Sequence, residues 1–259
     1  MSKVTVIIPS MGSERYLPEA IASVRAQTYG DWTIIVAAGG DADAAIARAC
    51  GLRVVDGCNR GPGDARNRAI EAATSPYILP LDADDVIVPP CLERFVAAAR
   101  DGHFIVSSST WAFGDRSDSW QLPPFATVLD LNPLSTASLF PRALWKAAGG
   151  FDVALLGYED WDFWIRCSRF KPTVTVMHEP MLRYRVHADS AMSRIKHENL
   201  DGLYKAMLRL RHPEFAGRAG QDREIVMGMP RQVKARLLER LRAFPENEAL
   251  LAFRAMVRR

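Results

Sequence analysis

The sequence predicts an α/β protein: a mixed, mostly parallel sheet flanked by helices, followed by a helical C-terminal extension. Three observations carry this expectation. Short apolar runs alternate with helical patterns through residues 4–109, joined by short connections, as parallel strands with crossover helices require. The stretch "LPLDADDVIVPP" (79–90) sets Asp82, Asp84 and Asp85 directly after one such run. Like charges this close disfavour one another's ionisation, and ligands on open α/β sheets bind outside the carboxyl ends of strands. Finally, the rhythm breaks after residue 110 and becomes helical from 195 onward.

Taken in order, "VTVIIP" (4–9) reads as a buried strand and 16–27 as a helix with Leu17, Ile21 and Val24 on one face. Strands follow at 32–37, 52–56, 77–81 and 104–109. Helices are expected near 41–50, over 63–73 and after Pro89 and Pro90. Residues 111–125 read as a loop, because Trp, Gly, Pro and Ser crowd there without a period. Further strands are expected at 136–140, 173–177 and 181–187, with helices over 142–148 and about 159–170.

Composition bounds the function. A length of 259 residues suits one α/β domain with an extension. The four cysteines show no CxxC pair and no zinc-like spacing to histidine, which argues for a reducing, cytoplasmic setting. No signal-peptide layout or bilayer-length apolar run is present in the sequence. From Lys205 to the end there are 13 basic and 6 acidic side chains, leaving 20 and 24 in residues 1–204. The basic end is either a solvated helical face or a peripheral contact with an anionic membrane surface at the inner face. An acidic main body with few aromatics in the tail argues against nucleic acid.

Three clusters carry chemistry. A D-x-D at a strand end suits a hard divalent cation, Mn²⁺ or Mg²⁺, which takes one or two carboxylates plus substrate phosphates. The bland alternative is that Asp84 or Asp85 caps a helix. "GFDVALLGYEDWDFWIR" (150–166) sets Glu159, Asp160 and Asp162 at a helix start beside Trp161 and Trp164. Acids there either complement the helix dipole or provide a general base beside aromatic surface suited to a hydroxylated ligand. "LRYRVHADSAMSR" (182–194) offers His187 at a strand end, flanked by Arg183 and Arg185, whose guanidinium groups suit phosphate oxygens.

Together these pieces resemble an inverting family 2 glycosyltransferase of the GT-A fold, a Rossmann-like nucleotide-diphospho-sugar transferase. The likeness rests on "VIIPS", "GPGDARNRAIEAATSPYILPLDADD", "GGFD…GYEDWDFWIR" and "LRYRVH", in that order over about three quarters of the chain. It implies a nucleotide-sugar-binding half over 1–110, an acceptor-binding half over 111–194 and a basic extension over 195–259. By the same resemblance, Pro9, Ser10, Arg66, Asn67 and Asp82 bind the nucleotide sugar, while Asp84 and His187 hold Mn²⁺ or Mg²⁺. Asp160 is implied as the base, and Glu159 and Trp161 as acceptor-positioning residues. The implied partners are a nucleotide-sugar donor, with a UDP-sugar favoured over other nucleotides, and a glycan or lipid-linked acceptor of polysaccharide biosynthesis; a homodimer is left open.

Two departures from the family pattern bear on donor recognition. Ala37 and Ala38 stand where an acidic pair is usual, and "PSMGSE" (9–14) replaces the more usual Thr-Tyr-Asn. They motivate a second reading, a degenerate GT-A protein acting as a glycan-binding or scaffold module. A third, an NAD-type oxidoreductase, ranks last because "SMGSER" lacks the close glycine spacing that seats a pyrophosphate.

Overall fold

The computed structural model describes residues 2–57, 60–155, 157–197, 201–212 and 214–215, with positions 228 and 235. The strands are β1 (Val4–Ser10), β2 (Trp32–Ala38), β3 (Arg53–Asp56), β4 (Tyr77–Pro80), β5 (Val86–Ile87), β6 (Phe104–Gly114), β7 (Ser119–Trp120), β8 (Phe140–Pro141) and β9 (Thr173–Val186). The helices are α1 (Leu17–Arg25), α2 (Asp41–Ala49), α3 (Pro62–Ala72), α4 (Cys91–Ala98), α5 (Arg142–Ala147), α6 (Glu159–Ser168), α7 (Ala191–His197) and α8 (Asp201–Leu210).

A first sheet has the order β3-β2-β1-β4-β8, parallel except for β8. Alternation along β1 assigns its two faces. Val4, Val6 and Ile8 join one apolar core with Leu17, Ile21 and Val24 of α1 and Ala44 and Ala47 of α2. Ile7 points to the opposite side, where α3 packs against β1 and β2. Complete burial of each such Val or Ile contributes about 1.5–3 kcal/mol, which explains why the first eighty residues read so directly from their pattern.

A second sheet, β5-β9-β6-β7, is mixed; two expectations are corrected here and a third at β8 of the first sheet. The chain at 111–114 continues β6 instead of looping, because Trp111 to Gly114 pair with Arg183 to Val186 of β9. The two expected strands at 173–177 and 181–187 are one strand, β9. Its register against β6 shifts between Ser108 and Thr110, where "HEPM" (178–181) bulges around Pro180. Ser108 Oγ accepts the Met181 N–H at 3.1 Å and Ser109 Oγ donates to the Met177 carbonyl at 3.3 Å, so hydroxyls replace ladder bonds at the bulge. The strand expected over 136–140 is confined to Phe140–Pro141, with Leu139 bridging Val106.

The chain divides into two compact units, one of residues 1–153 and 159–187, the other of 154–158 and 188–259. In the second unit, Tyr204, Met207 and Leu208 of α8 are buried. The Tyr158 hydroxyl bonds Asp201, and Lys205 lies 5.7 Å over the Tyr158 ring. Most of the basic extension lies outside the described residues. Among the described residues, no helix is long and apolar enough to cross a membrane.

Candidate active site

The carboxylate cluster sits where β4 ends. Leu81 extends the strand by donating to the Ile7 carbonyl, and the Asp85 N–H then turns back to the Asp82 carbonyl at 3.0 Å. Pairing of β5 with Leu182 and Arg183 brings the end of β9 alongside this turn. The consequence is a clamp. Asp85, only 3% exposed, accepts the Arg185 N–H at 2.8 Å, while Arg185 Nε donates to the Asp84 carbonyl at 2.8 Å. The Arg185 guanidinium also pairs with Glu19 and lies over the rings of Tyr16 and Phe113, at 4.7 and 4.2 Å. Asp85 therefore anchors β9 and caps no helix, and Arg185 is committed to the turn.

Two residues on, His187 Nε2 lies 2.9 Å from Asp84 Oδ2, with its ring 4.9 Å from Tyr16. The structure thus joins Asp84 and His187 across a sequence separation of 103 residues. Burial, then the neighbouring Asp82 charge, raises the Asp84 pKa above the ordinary carboxylate range, partly offset by His187. Burial with the Asp84 and Asp82 charges raises Asp85 well above that range.

A second centre lies on Arg66 of α3. It is 3% exposed, donates from Nη2 to Asp82 Oδ1 at 2.6 Å, and pairs through Nη1 with Glu159 Oε1 at the start of α6. Burial acts to lower the pKa of this guanidinium; Asp82 and Glu159 outweigh burial and raise it. One arginine thereby bridges the two acidic motifs. Asp160 follows: its Oδ2 accepts from Asn132 Nδ2 at 2.9 Å and Thr136 Oγ1 at 3.4 Å, and its Oδ1 from the Trp161 N–H at 2.8 Å. Burial raises the Asp160 pKa, while Arg66, Asn132 and the Trp161 amide act against that shift. Glu159 is raised by burial and by Asp160, against the pull of Arg66.

The remaining expected residues have structural partners. Asn67 Oδ1 accepts from Trp145 Nε1 at 3.0 Å and Phe151 N at 2.8 Å, and its Nδ2 donates to the Phe151 carbonyl at 2.8 Å. It fastens the turn at Gly150, whose φ of +76° suits glycine and where a Cβ would meet Asn67 Oδ1 at 3.0 Å. Trp161 is buried at 4% exposure, its Nε1 donating to the Val128 carbonyl at 2.6 Å. Pro9 and Ser10 end β1 against Ala37 and Ala38. Ser10 Oγ donates to Asp43 Oδ1 at 2.7 Å, and Asp43 also accepts from the Gly12 and Ser13 amides at 2.8 and 3.2 Å.

Sequence reasoning missed Asn132, Thr136, Asp43 and Tyr184. Asn132 and Thr136 lie in "LNPLST" (131–136), which has no period and no motif. Asp43 reads as an ordinary first-turn acid of α2, and only the tertiary fold shows that it is buried and holds the loop after β1.

The comparisons with known proteins bear on this geometry. The profile described as Glycosyl transferase family 2 matches residues 5–152, more than half of the chain. The chain belongs to that family. It is 27% identical over 198 residues to a PGL/p-HBAD biosynthesis glycosyltransferase of Mycobacterium tuberculosis, covering 70% of this chain and 75% of that one. An uncharacterized glycosyltransferase of Methanocaldococcus jannaschii is 25% identical over 216 residues, 74% and 73% of the two chains. Among solved structures, Staphylococcus aureus TarS 1–349 in complex with UDP-GlcNAc gives a TM-score of 0.66 at 18% identity, covering 98% of this chain and 88% of that chain. The mannosyltransferase PcManGT of Pyrobaculum calidifontis, in complex with GDP-Man and Mn²⁺, gives 0.59 at 18% identity, covering 98% and 74%. At such identity these structures show the fold, which is GT-A. The protein is a glycosyltransferase of family 2 with a GT-A fold; structural relatives hold nucleotide sugars, two of them named here, and one of these also holds Mn²⁺.

Proposed function

We propose that this enzyme is a metal-dependent, inverting glycosyltransferase that moves a sugar from a nucleoside-diphosphate donor to a hydroxyl of a glycan or lipid-linked acceptor. The observation that carries the reading is the pair of acidic centres joined by Arg66: one short of positive charge, the other holding a buried carboxylate at a helix start.

The first centre fits a divalent cation. Asp84 is half-buried and Asp85 buried beside Asp82, with their pKa values raised, so the cluster is stabilised by any cation that enters. Among the described residues no group of three or more His, Cys, Asp and Glu could hold a metal by itself. Mn²⁺ or Mg²⁺ binds through one or two protein groups and substrate phosphates. Asp84 and His187 would hold the ion, whose chemistry when bound is to offset charge developing on the departing diphosphate. Asp82, kept in place by Arg66, would face the nucleotide side. Pro9 and Ser10 would edge the base pocket. Arg66 and Asn67 would act there by support: the first through Asp82, the second through the turn at Gly150.

At the second centre, Asp160 would take the proton from the acceptor hydroxyl as its oxygen attacks the anomeric carbon. The bond to the leaving phosphate oxygen breaks in the same displacement, which inverts the configuration. Burial favours such proton uptake, while Asn132 and the Trp161 amide hold the carboxylate ready. Glu159 and Trp161 would shape the acceptor side from beneath, since both are buried. The degenerate-scaffold reading has less support, because Asp84, His187, Arg66, Glu159 and Asp160 all remain assembled. A panel of nucleotide sugars, each followed for release of nucleoside diphosphate with Mn²⁺ and with chelator, tests the proposal. At least one donor should be hydrolysed only with the metal; no turnover of any donor would favour the scaffold.

A further inference from the structure

Trp120 lies on β7, the edge strand of the second sheet, and keeps 36% of its surface open. The ladder fixes the way it faces. Thr110 pairs with both Trp120 and Leu182, and Ala112 pairs with Tyr184. Side chains directly opposite share a face and alternate along each strand, so Trp120, Thr110, Ala112, Leu182 and Tyr184 form one face. The Trp120 and Tyr184 rings meet edge to face, 6.0 Å apart at 80°. Tyr184 in turn lies in the field of Asp85, Asp82, Asp84 and Asp160, which with burial raises its pKa. The row runs from an open indole to Tyr184, whose chain neighbour Arg185 donates its backbone N–H to Asp85 at 2.8 Å.

The other tryptophans do not compete for this position. Trp111, at 46% exposure, stands opposite Arg183 on the reverse face of the sheet. Trp161, the aromatic expected beside the base, is buried with its indole N–H bonded. Around Trp120 the groups are polar: the Arg116 guanidinium lies 5.9 Å from the ring centroid and pairs with Asp118, and Gln121 accepts from Ser109 Oγ at 2.8 Å. An open indole rimmed by hydrogen-bonding side chains matches a pyranose, whose C–H face packs on the ring while its hydroxyls reach the rim.

We propose that Trp120 and Tyr184 form an acceptor subsite for a pyranose ring, so that the acceptor hydroxyl belongs to a sugar residue rather than to an acyclic hydroxy acid or a phenol. This rests on the glycosyltransferase reading of the adjoining carboxylates. The subsite orients the sugar by stacking, and the hydroxyl beyond Tyr184 is delivered to Asp160.

Saturation-transfer NMR on the full chain with UDP and Mn²⁺ tests it. The probes are methyl glycosides of glucose, galactose, mannose and N-acetylglucosamine, with 3-phosphoglycerate and methyl 4-hydroxybenzoate as sugar-free alternatives. At least one glycoside should bind, Trp120→Ala should weaken it by on the order of tenfold, and Trp120→Phe should restore most of the loss. UDP affinity and melting temperature should be unchanged in both variants, which separates a lost stack from a damaged fold. Equal glycoside binding by Trp120→Ala would overturn the subsite, as would binding of the sugar-free probes alone. Failure of the wild-type protein to bind any nucleoside diphosphate of the donor panel with Mn²⁺ would overturn the donor reading, and the subsite with it.

Discussion

The two acidic centres of this enzyme share Arg66 and differ in how the rest of their charge is met. At Asp82, Asp84 and Asp85, carboxylates face one another; Arg66 bonds Asp82 alone, and the Arg185 guanidinium reaches the turn through the Asp84 carbonyl and Glu19. At Glu159 and Asp160, a resident arginine lies beneath and amide donors fix the second carboxylate. Both centres have raised pKa values from burial, but the first is deepened by like charge and the second relieved by Arg66. The difference separates two tasks. On the proposed reading, the first centre recruits a mobile cation, and the second takes up a proton beside the charge of Arg66.

The strongest test of the first centre is Asp84→Ala, which should remove metal-dependent donor hydrolysis without unfolding the chain, read by product release and a thermal melt. Retained metal-dependent hydrolysis would detach Asp84 from the cation. At the second centre, Asp160→Asn should slow transfer on the order of 10²–10⁴-fold while leaving UDP affinity intact. A loss of affinity instead would place Asp160 on the donor side.

Arg66→Gln attacks the link between the centres. It leaves buried Glu159 without its cation, a change that destabilises by about 3–5 kcal/mol, to be read from denaturant unfolding. It should also move the pH profile. As the proposed base, Asp160 would work as a carboxylate, so activity should fall as pH drops through its pKa, which lies above the ordinary carboxylate value. Removing the Arg66 charge raises that pKa further and shifts the acid limb to higher pH. Glu159→Gln removes a neighbouring negative charge and should shift the limb the other way. Parallel shifts would refute the bridge. The smallest effect is expected for Trp161→Phe, which loses the bond to the Val128 carbonyl and about 1 kcal/mol of stability, with little change in turnover.

Legibility in the sequence followed the same division. The first sheet was readable because β1, β2 and β4 are buried apolar runs whose period and turns agree. Asp82, Asp84, Asp160 and His187 were singled out in the sequence by their places at strand and helix ends and by the family resemblance, and the structure brings Asp84 to His187 and links Asp82 to Glu159, the neighbour of Asp160, through Arg66. The second sheet was readable in part: strands were expected at 104–109, 173–177 and 181–187, but the extension of β6 to Gly114 and the continuity of β9 across its proline bulge were not, because hydroxyl bonds to backbone stand there where apolar alternation would announce a strand. Asn132 and the Trp120 face were hidden for a related reason. Each depends on which strands pair, and pairing over many residues leaves no local pattern. The bonding of Asn67 and Ser10 to their neighbours was equally invisible, since polar residues near a ligand and polar residues holding a turn look alike in a string of letters.

The contrast between the centres is tested most directly by calorimetric titration of UDP into the wild-type protein, Asp84→Ala and Asp160→Asn, each with Mn²⁺ and with chelator. Binding should require Mn²⁺ in the wild type and in Asp160→Asn, and should be lost in Asp84→Ala. UDP binding of equal strength with chelator, or in Asp84→Ala, would contradict the assignment of the first centre to the cation.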